Sequence, residues 1–93
     1  MAKYFFDAFD GVEHHRDEYG SELDSREAAR LSAQTRLGDM SNRALPDGHR
    51  REFIVDVRDA LGILIYTCRL SFVGRWLDYT VPPLNNRAGA TEK

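Results

Sequence analysis

Residues 11–20 read GVEHHRDEYG, and their side chains are of the kinds that bind metals and move protons. Two adjacent histidines, an arginine and two consecutive acids stand between two glycines. A zinc centre needs three or four convergent ligands. In an extended strand alternate residues share a face. His15 then points with Asp17, about 7 Å away along the strand, while His14, Arg16 and Glu18 point the other way. One metal cannot take both histidines without a local kink. Of the remaining side chains, His49 is the best candidate to join His15 and Asp17. The spacing favours a solvated edge strand over a metal-dependent enzyme at His14–Glu18, and neither a metal ligand nor a cofactor is expected.

Other chemistry is equally thin. Cys68 is the single cysteine. A reactive thiol needs a base or a positive neighbour, whereas Cys68 stands in the most apolar stretch, beside Tyr66 and Leu70 on its own face. It reads as a small buried hydrophobe. The sequence shows no Ser/His/Asp order, no Gly-rich phosphate loop and no Cys-x-x-Cys pair. Asp17, Glu18 and Glu22 around Gly20 lack calcium-loop spacing and suit the positive end of a helix dipole. No catalytic residue is assigned, and the chain is not expected to be an enzyme.

Composition narrows the function further. Ninety-three residues suggest one domain, 42% hydrophobic and 30% charged, as in an ordinary globule. The net charge of −2 and pI of about 5.9 supply no drive toward phosphates or anionic membranes. One cysteine excludes an internal disulfide and suggests the cytoplasm. The opening MAKYFFDAFDG has a short apolar run broken by Asp7 and Asp10, unlike a signal peptide. The run LGILIY is too short to span a bilayer.

The elements that must position these residues follow from pattern. Lys3 to Phe9 reads as an aromatic strand, Asp10-Gly11 as a hairpin turn, and Val12 to Glu18 as a polar edge strand. LDSREAARLSAQTRLGDMSNRAL reads as the one helix, with Asp24 as N-cap, Glu27 completing a capping box, and Leu23 and Ala28 at the staple positions. At about 100° per residue, Ala29, Ala33, Leu37, Met40 and Ala44 share one arc. Gly38 interrupts that helix. Leu31, Gly38 and Leu45 form a second, narrower stripe. Pro46-Asp47-Gly48 stops the helix. Residues 50–58 alternate: Phe53, Val55 and Val57 face one way, and Ile54 joins Glu52, Asp56 and Arg58 on the other. Asp59 to Gly62 reads as a hairpin loop, and Ile63 to Phe72 as the most apolar and central strand.

YFFDAFDG, RDEYGSEL, DSREAAR and REFIVDVRDALG together resemble a family of small bacterial proteins known only as a domain of unknown function. The likeness covers residues 3–72. Asp17, Glu18, Gly20, Glu22 and Leu23 match its middle motif, and Asp59 and Gly62 its final turn. The resemblance implies one domain in ββαββ order and no particular activity. His14-His15 lies outside the motif, and the chain beyond Gly74 extends past the family's usual end.

The expected fold is therefore α+β: a four-stranded, mainly antiparallel sheet in order 2-1-3-4, with 2-1-4-3 as the alternative, and one helix on one face. Residues 1–84 form the domain, including an apolar extension over 74–84 whose Trp76 and Tyr79 should pack somewhere. Residues 85–93 form a disordered tail. One helix covers one sheet face, so the second must be solvated, covered by the extension or used for association. Either Phe5 and Phe9, or Tyr4 and Phe6, lie on it. The expected interaction surface is Phe5, Phe9, Ile54, Arg58, Arg69, Trp76 and Tyr79. The leading functional expectation is a protein-interaction module, a homodimer or a binder of another protein. The alternative is a weak single-stranded nucleic-acid or nucleotide binder using the sheet aromatics and arginines, against which the overall charge argues.

Overall fold

The computed structural model describes residues 1–45 and 48–77. The chain runs β1 (Ala2–Phe9), β2 (His14–His15), β3 (Ser21–Leu23), α1 (Arg26–Ala44), β4 (Arg50–Arg58) and β5 (Leu64–Val73). It is an α+β fold with one helix against an antiparallel sheet. The sheet has five strands rather than the expected four. Its order is β2-β1-β4-β5, with β3 also paired to β1.

The fifth strand arises because the expected strand over residues 12–18 does not persist. It breaks into β2, opposite Ala8 and Phe9, and β3, opposite Ala2 to Tyr4. The register shifts by two residues between them, and residues 16–20 loop out. An even shift keeps each strand's alternation on the faces of β1. Counting β2 and β3 as one broken edge, the expected order 2-1-3-4 is the one observed.

The core lies between α1 and one face of the sheet. Tyr4 and Phe6 of β1 and Phe53, Val55 and Val57 of β4 meet Ala29, Ala33, Leu37 and Met40 of α1. The helical stripe is the expected one, with Ala44 half-buried at its end. Ala29 and Ala33 are small enough to bring the helix backbone close to β4, and both are fully buried. Leu45, from the second stripe, also packs against this core, whereas Leu31 stays exposed.

The helix starts one residue later than expected. Ser25 is the N-cap, and its Oγ accepts the Ala28 N–H at 3.1 Å. Serine and aspartate cap about equally well, so Asp24-Ser25 offers two caps, of which the chain uses the second. The capping box and staple built on Asp24 are therefore not the ones used. Glu27 instead pairs with Arg30. The expected stop signal, Pro46-Asp47, lies outside the described residues, and the helix ends just before it.

Gly38 sits inside α1, and a Cβ added there meets no atom within 4 Å. Gly38→Ala should therefore raise stability by about 0.5–1 kcal/mol, mostly by restricting the unfolded chain. Urea unfolding checks this, and an unchanged or lower midpoint counts against it.

The apolar composition of Ile63 to Phe72 suggests a central strand, whereas the order 2-1-3-4 requires an edge strand, and the structure follows the order. β5 lies at the edge, with β4 as its one neighbour among the described residues. β1 and β4 take the centre because α1 carries the chain across the sheet and sets β4 against β1. The tight hairpin at Asp59 to Gly62 can then only place β5 outside β4. No described helix is long and apolar enough to cross a membrane.

Candidate interaction surface

The strand registers decide which aromatics leave the core. Phe5 pairs with Arg58, Asp7 with Asp56 and Phe9 with Ile54. Beyond β4, Asp56 pairs with Thr67, Ile54 with Arg69 and Glu52 with Ser71. The open face thus carries Phe5, Phe9, Ile54, Arg58 and Arg69, while Tyr4 and Phe6 turn to the helix. Five residues of the expected surface come together there. Trp76 does not join them: it is 88% exposed among the described residues. Leu77 is exposed as well. Tyr79, the rest of the extension and the tail over 85–93 lie outside the described residues.

The open face is less bare than its composition suggests. The Arg58 guanidinium lies over the Phe5 ring, 4.9 Å from its centroid. The His14 ring stacks on Phe9 at 4.5 Å. These lids leave Phe5, Phe9 and Ile54 half-buried. A cleft of about 300 Å³ remains, lined by Asp7, Phe9, His14, Ile54 and Asp56 among others.

The arginines of this face are engaged within the domain. Arg58 donates to both carboxylate oxygens of Asp7, at 2.7 and 3.0 Å, and to the Asp17 carbonyl at 3.0 Å. Arg69 pairs with Glu52 at 3.5 Å. Asp56 accepts from the Thr67 hydroxyl at 2.6 Å. It is the open-face carboxylate with no cationic partner among the described residues.

Asp17 is the residue that sequence reasoning placed least well. It does not share a ligand set with His15. Its carboxylate accepts the Phe6 N–H at 3.0 Å in the gap between β2 and β3, where β1 has lost its strand partner. It also accepts the N–H groups of Tyr19 and Gly20. Burial pushes its carboxyl up, but these three donors outweigh it and hold the group below the ordinary value. Asp7 is held low chiefly by Arg58 and also by the Asp17 N–H, which it accepts at 2.9 Å. Gly20 closes the loop at φ +74°, where an added Cβ would lie 2.9 Å from side-chain atoms of Lys3 and Phe5. The Asp-Glu-x-Gly stretch is thus a device for interrupting an edge strand without orphaning its backbone.

His14 and His15 do alternate, as expected. His15 turns to the opposite side from His14, where its Nε2 lies 3.6 Å from Asp10 and 3.8 Å from Glu13. The ligand atoms of this trio lie within 4.8 Å of one another. Asp10, however, already accepts the Val12 and Glu13 N–H groups across the turn. These bonds hold its carboxyl low. The Arg51 guanidinium stands 4.0 Å from the same carboxylate, and a metal cation would face its repulsion. The trio reads as the electrostatic closure of a hairpin.

Cys68 faces the helix side, where burial pushes its thiol up, away from the reactive thiolate.

The surface that sequence reasoning missed is the outer flank of β5. Among the described residues, seven of the eleven exposed large apolar side chains lie between Leu61 and Leu77: Leu61, Ile63, Leu64, Leu70, Val73, Trp76 and Leu77. The signal was present in the apolar run itself, which was read as burial.

Comparison with known proteins bears on the family alone. The pattern of one family, described as Domain of unknown function (DUF6894), matches residues 3–71, close to the span of the resemblance. No curated protein and no solved structure matches the chain.

Proposed function

Because the chain belongs to this family of unknown function, we propose a role from its geometry: a non-enzymatic interaction module of the cytoplasm, working through the β5 flank. The observation that carries this reading is that β5 is an open sheet edge and that it and its flanking residues hold most of the exposed large apolar side chains among the described residues. Contiguous exposed apolar surface is costly in water and marks interfaces. An exposed strand edge adds unpaired N–H and C=O groups that a partner strand can satisfy. The polar side chains best placed for chemistry, Asp7, Asp17 and Arg58, are bound to one another and to backbone. That favours recognition over catalysis.

The test uses the tagged full chain beside a Leu64→Lys/Leu70→Lys variant, both checked for fold by circular dichroism. The wild type should retain a partner chain, its own or another, that the variant loses. A wild type that stays monomeric at high concentration and retains nothing beyond what the variant retains overturns the reading.

The second reading, a weak binder of single strands or nucleotides through Phe5, Phe9, Arg58 and Arg69, has aromatic rings on one sheet face in its favour. It is the weaker one. Arg58 and Arg69 each hold an acid, so phosphate binding must first break an ion pair within the domain.

A further inference from the structure

We propose that a second copy of this chain pairs antiparallel along β5, with the two-fold axis at Cys68. This rests on the interaction reading above and names its partner.

The two edges of the sheet differ. One consists of β2 and β3, two and three residues long, separated by a loop carrying Arg16, Asp17 and Glu18. Short, interrupted and charged edges resist pairing. The other edge is β5, ten residues long, with Arg69 as its one charge and no proline. Arg69 is already turned onto Glu52 of its own sheet. Beyond the bulge at Ile65, from Tyr66 to Val73, nothing among the described residues of that edge repels a second identical strand.

Symmetry then restricts the register. Two identical strands pair antiparallel only about an axis perpendicular to the sheet, which keeps each face on its own side. Paired residues must share a face, so the axis passes through a residue and not between two. A one-residue bulge at Ile65 leaves Tyr66 to Val73 regular, so an axis at Cys68, Arg69 or Leu70 overlaps most of that stretch with its copy, and an axis at Leu70 sets the partner's Arg69 toward Ser71 and Glu52, which already holds an arginine. An axis at Arg69 opposes two guanidinium groups, which is unfavourable. An axis at Cys68 opposes Tyr66 to the partner's Leu70, and Thr67 to the partner's Arg69.

Charge supports the same register. Thr67 neighbours Asp56 on β4 and donates to its carboxylate. Asp56 is the open-face acid with no cation of its own among the described residues. With the axis at Cys68, the partner's Arg69 lies in the row of Thr67 and Asp56, two strand spacings away, about 10 Å between backbones. A long arginine side chain covers much of that span when it exchanges its exposed contact with Glu52 of its own sheet for Asp56. By symmetry the contact forms twice. The exposed Leu70, at 43%, is covered at the same time by the partner's Tyr66. Both helices come to lie on one face of a continuous sheet.

The experiment has two readouts on the full chain. Sedimentation velocity over a concentration series should show a monomer–dimer equilibrium. Oxidation by copper phenanthroline and dioxygen, which removes two electrons and two protons from a thiol pair, should then give a disulfide-linked dimer through Cys68. Directly opposed strand residues have the Cα spacing a disulfide needs. Arg69→Glu sets an acid toward Thr67 and Asp56 and should raise the dimer Kd about tenfold or more. Leu70→Lys, on the other sheet face, should do the same, so neither substitution has to carry the test alone. A dimer that fails to cross-link, or one indifferent to both substitutions, overturns the pairing. A monomer at every concentration also overturns it. In that last case capture of a different chain by the same flank would leave the interaction reading standing.

Discussion

Phe53→Ala is expected to remove about 3–5 kcal/mol of stability, the usual range for deleting a fully buried phenylalanine ring. Phe53 is at the middle of β4 with 0% exposure, among Ala29, Ala33 and Leu37 of the core cluster. Helix and sheet approach closely at the alanines, so the site cannot collapse around the void by bringing them nearer. A domain of this size has roughly 5–15 kcal/mol in all. The melting temperature should therefore fall by roughly 15 °C or more. Leu70 is the matched control, since it pairs with Phe53 across β4 and β5. Leu70→Ala should cost under about 1 kcal/mol in the monomer, because an exposed side chain gives up little transfer energy. Urea unfolding of both variants, at the lowest workable protein concentration, tests the contrast. Equal losses would mean that β5 is as buried as its sequence suggests, and the edge assignment would fall.

Arg58→Ala is the second large effect, and it depends on pH. The substitution removes both bonds to Asp7 and the bond to the Asp17 carbonyl. It leaves Asp7 half-buried and directly opposite Asp56. Stranding a carboxylate in this way should cost about 2 kcal/mol at pH 7, less than for a fully buried pair because water reaches the site. In the wild type both Asp7 and Asp17 lie below the ordinary value of 3.8 when folded. A depressed carboxylate contributes stability that is complete above its unfolded value and is lost as pH falls through its folded value. The Asp7 share of that contribution comes mainly from Arg58. The gap between wild type and variant should therefore be widest near neutrality and narrow as the pH drops below about 4. Urea midpoints at pH 7 and pH 3 measure it. A gap that is the same at both values would show that Arg58 acts by packing over Phe5 and not through Asp7.

How much of this was readable beforehand differs by element. The helix core stripe was legible because Ala29, Ala33, Leu37 and Met40 recur at a spacing that no strand could use. Phe53, Val55 and Val57 were legible for the converse reason, a clean two-residue alternation. The helix cap was not resolved, because Asp24 and Ser25 are chemically equivalent starts. The edge opposite β5 was misread as one strand. Asp17 replaces a strand partner with its own carboxylate, and nothing in the letter Asp distinguishes that use from a solvated acid. Arg58 and Arg69 were read as possible phosphate contacts, since their acid partners on neighbouring strands are known only once the registers are.

The chain by itself determined what is local and periodic: an amphipathic helix, an alternating buried strand, and tight turns at Asp10-Gly11 and Asp59 to Gly62. These follow from backbone sterics and side-chain spacing over a few residues. Only the tertiary structure decided what depends on neighbours far along the chain. It set Phe5 and Phe9 outward and Tyr4 and Phe6 inward, because β1 pairs with β4 at one register. It joined Asp7 and Asp17 to Arg58 across 51 and 41 residues. It also decided between the two orders open to the most apolar strand and set it at the sheet edge, because a hairpin can lay β5 only on the side of β4 that β1 leaves free. Hydrophobicity states that a strand seeks cover. Topology decides whether its own chain supplies it.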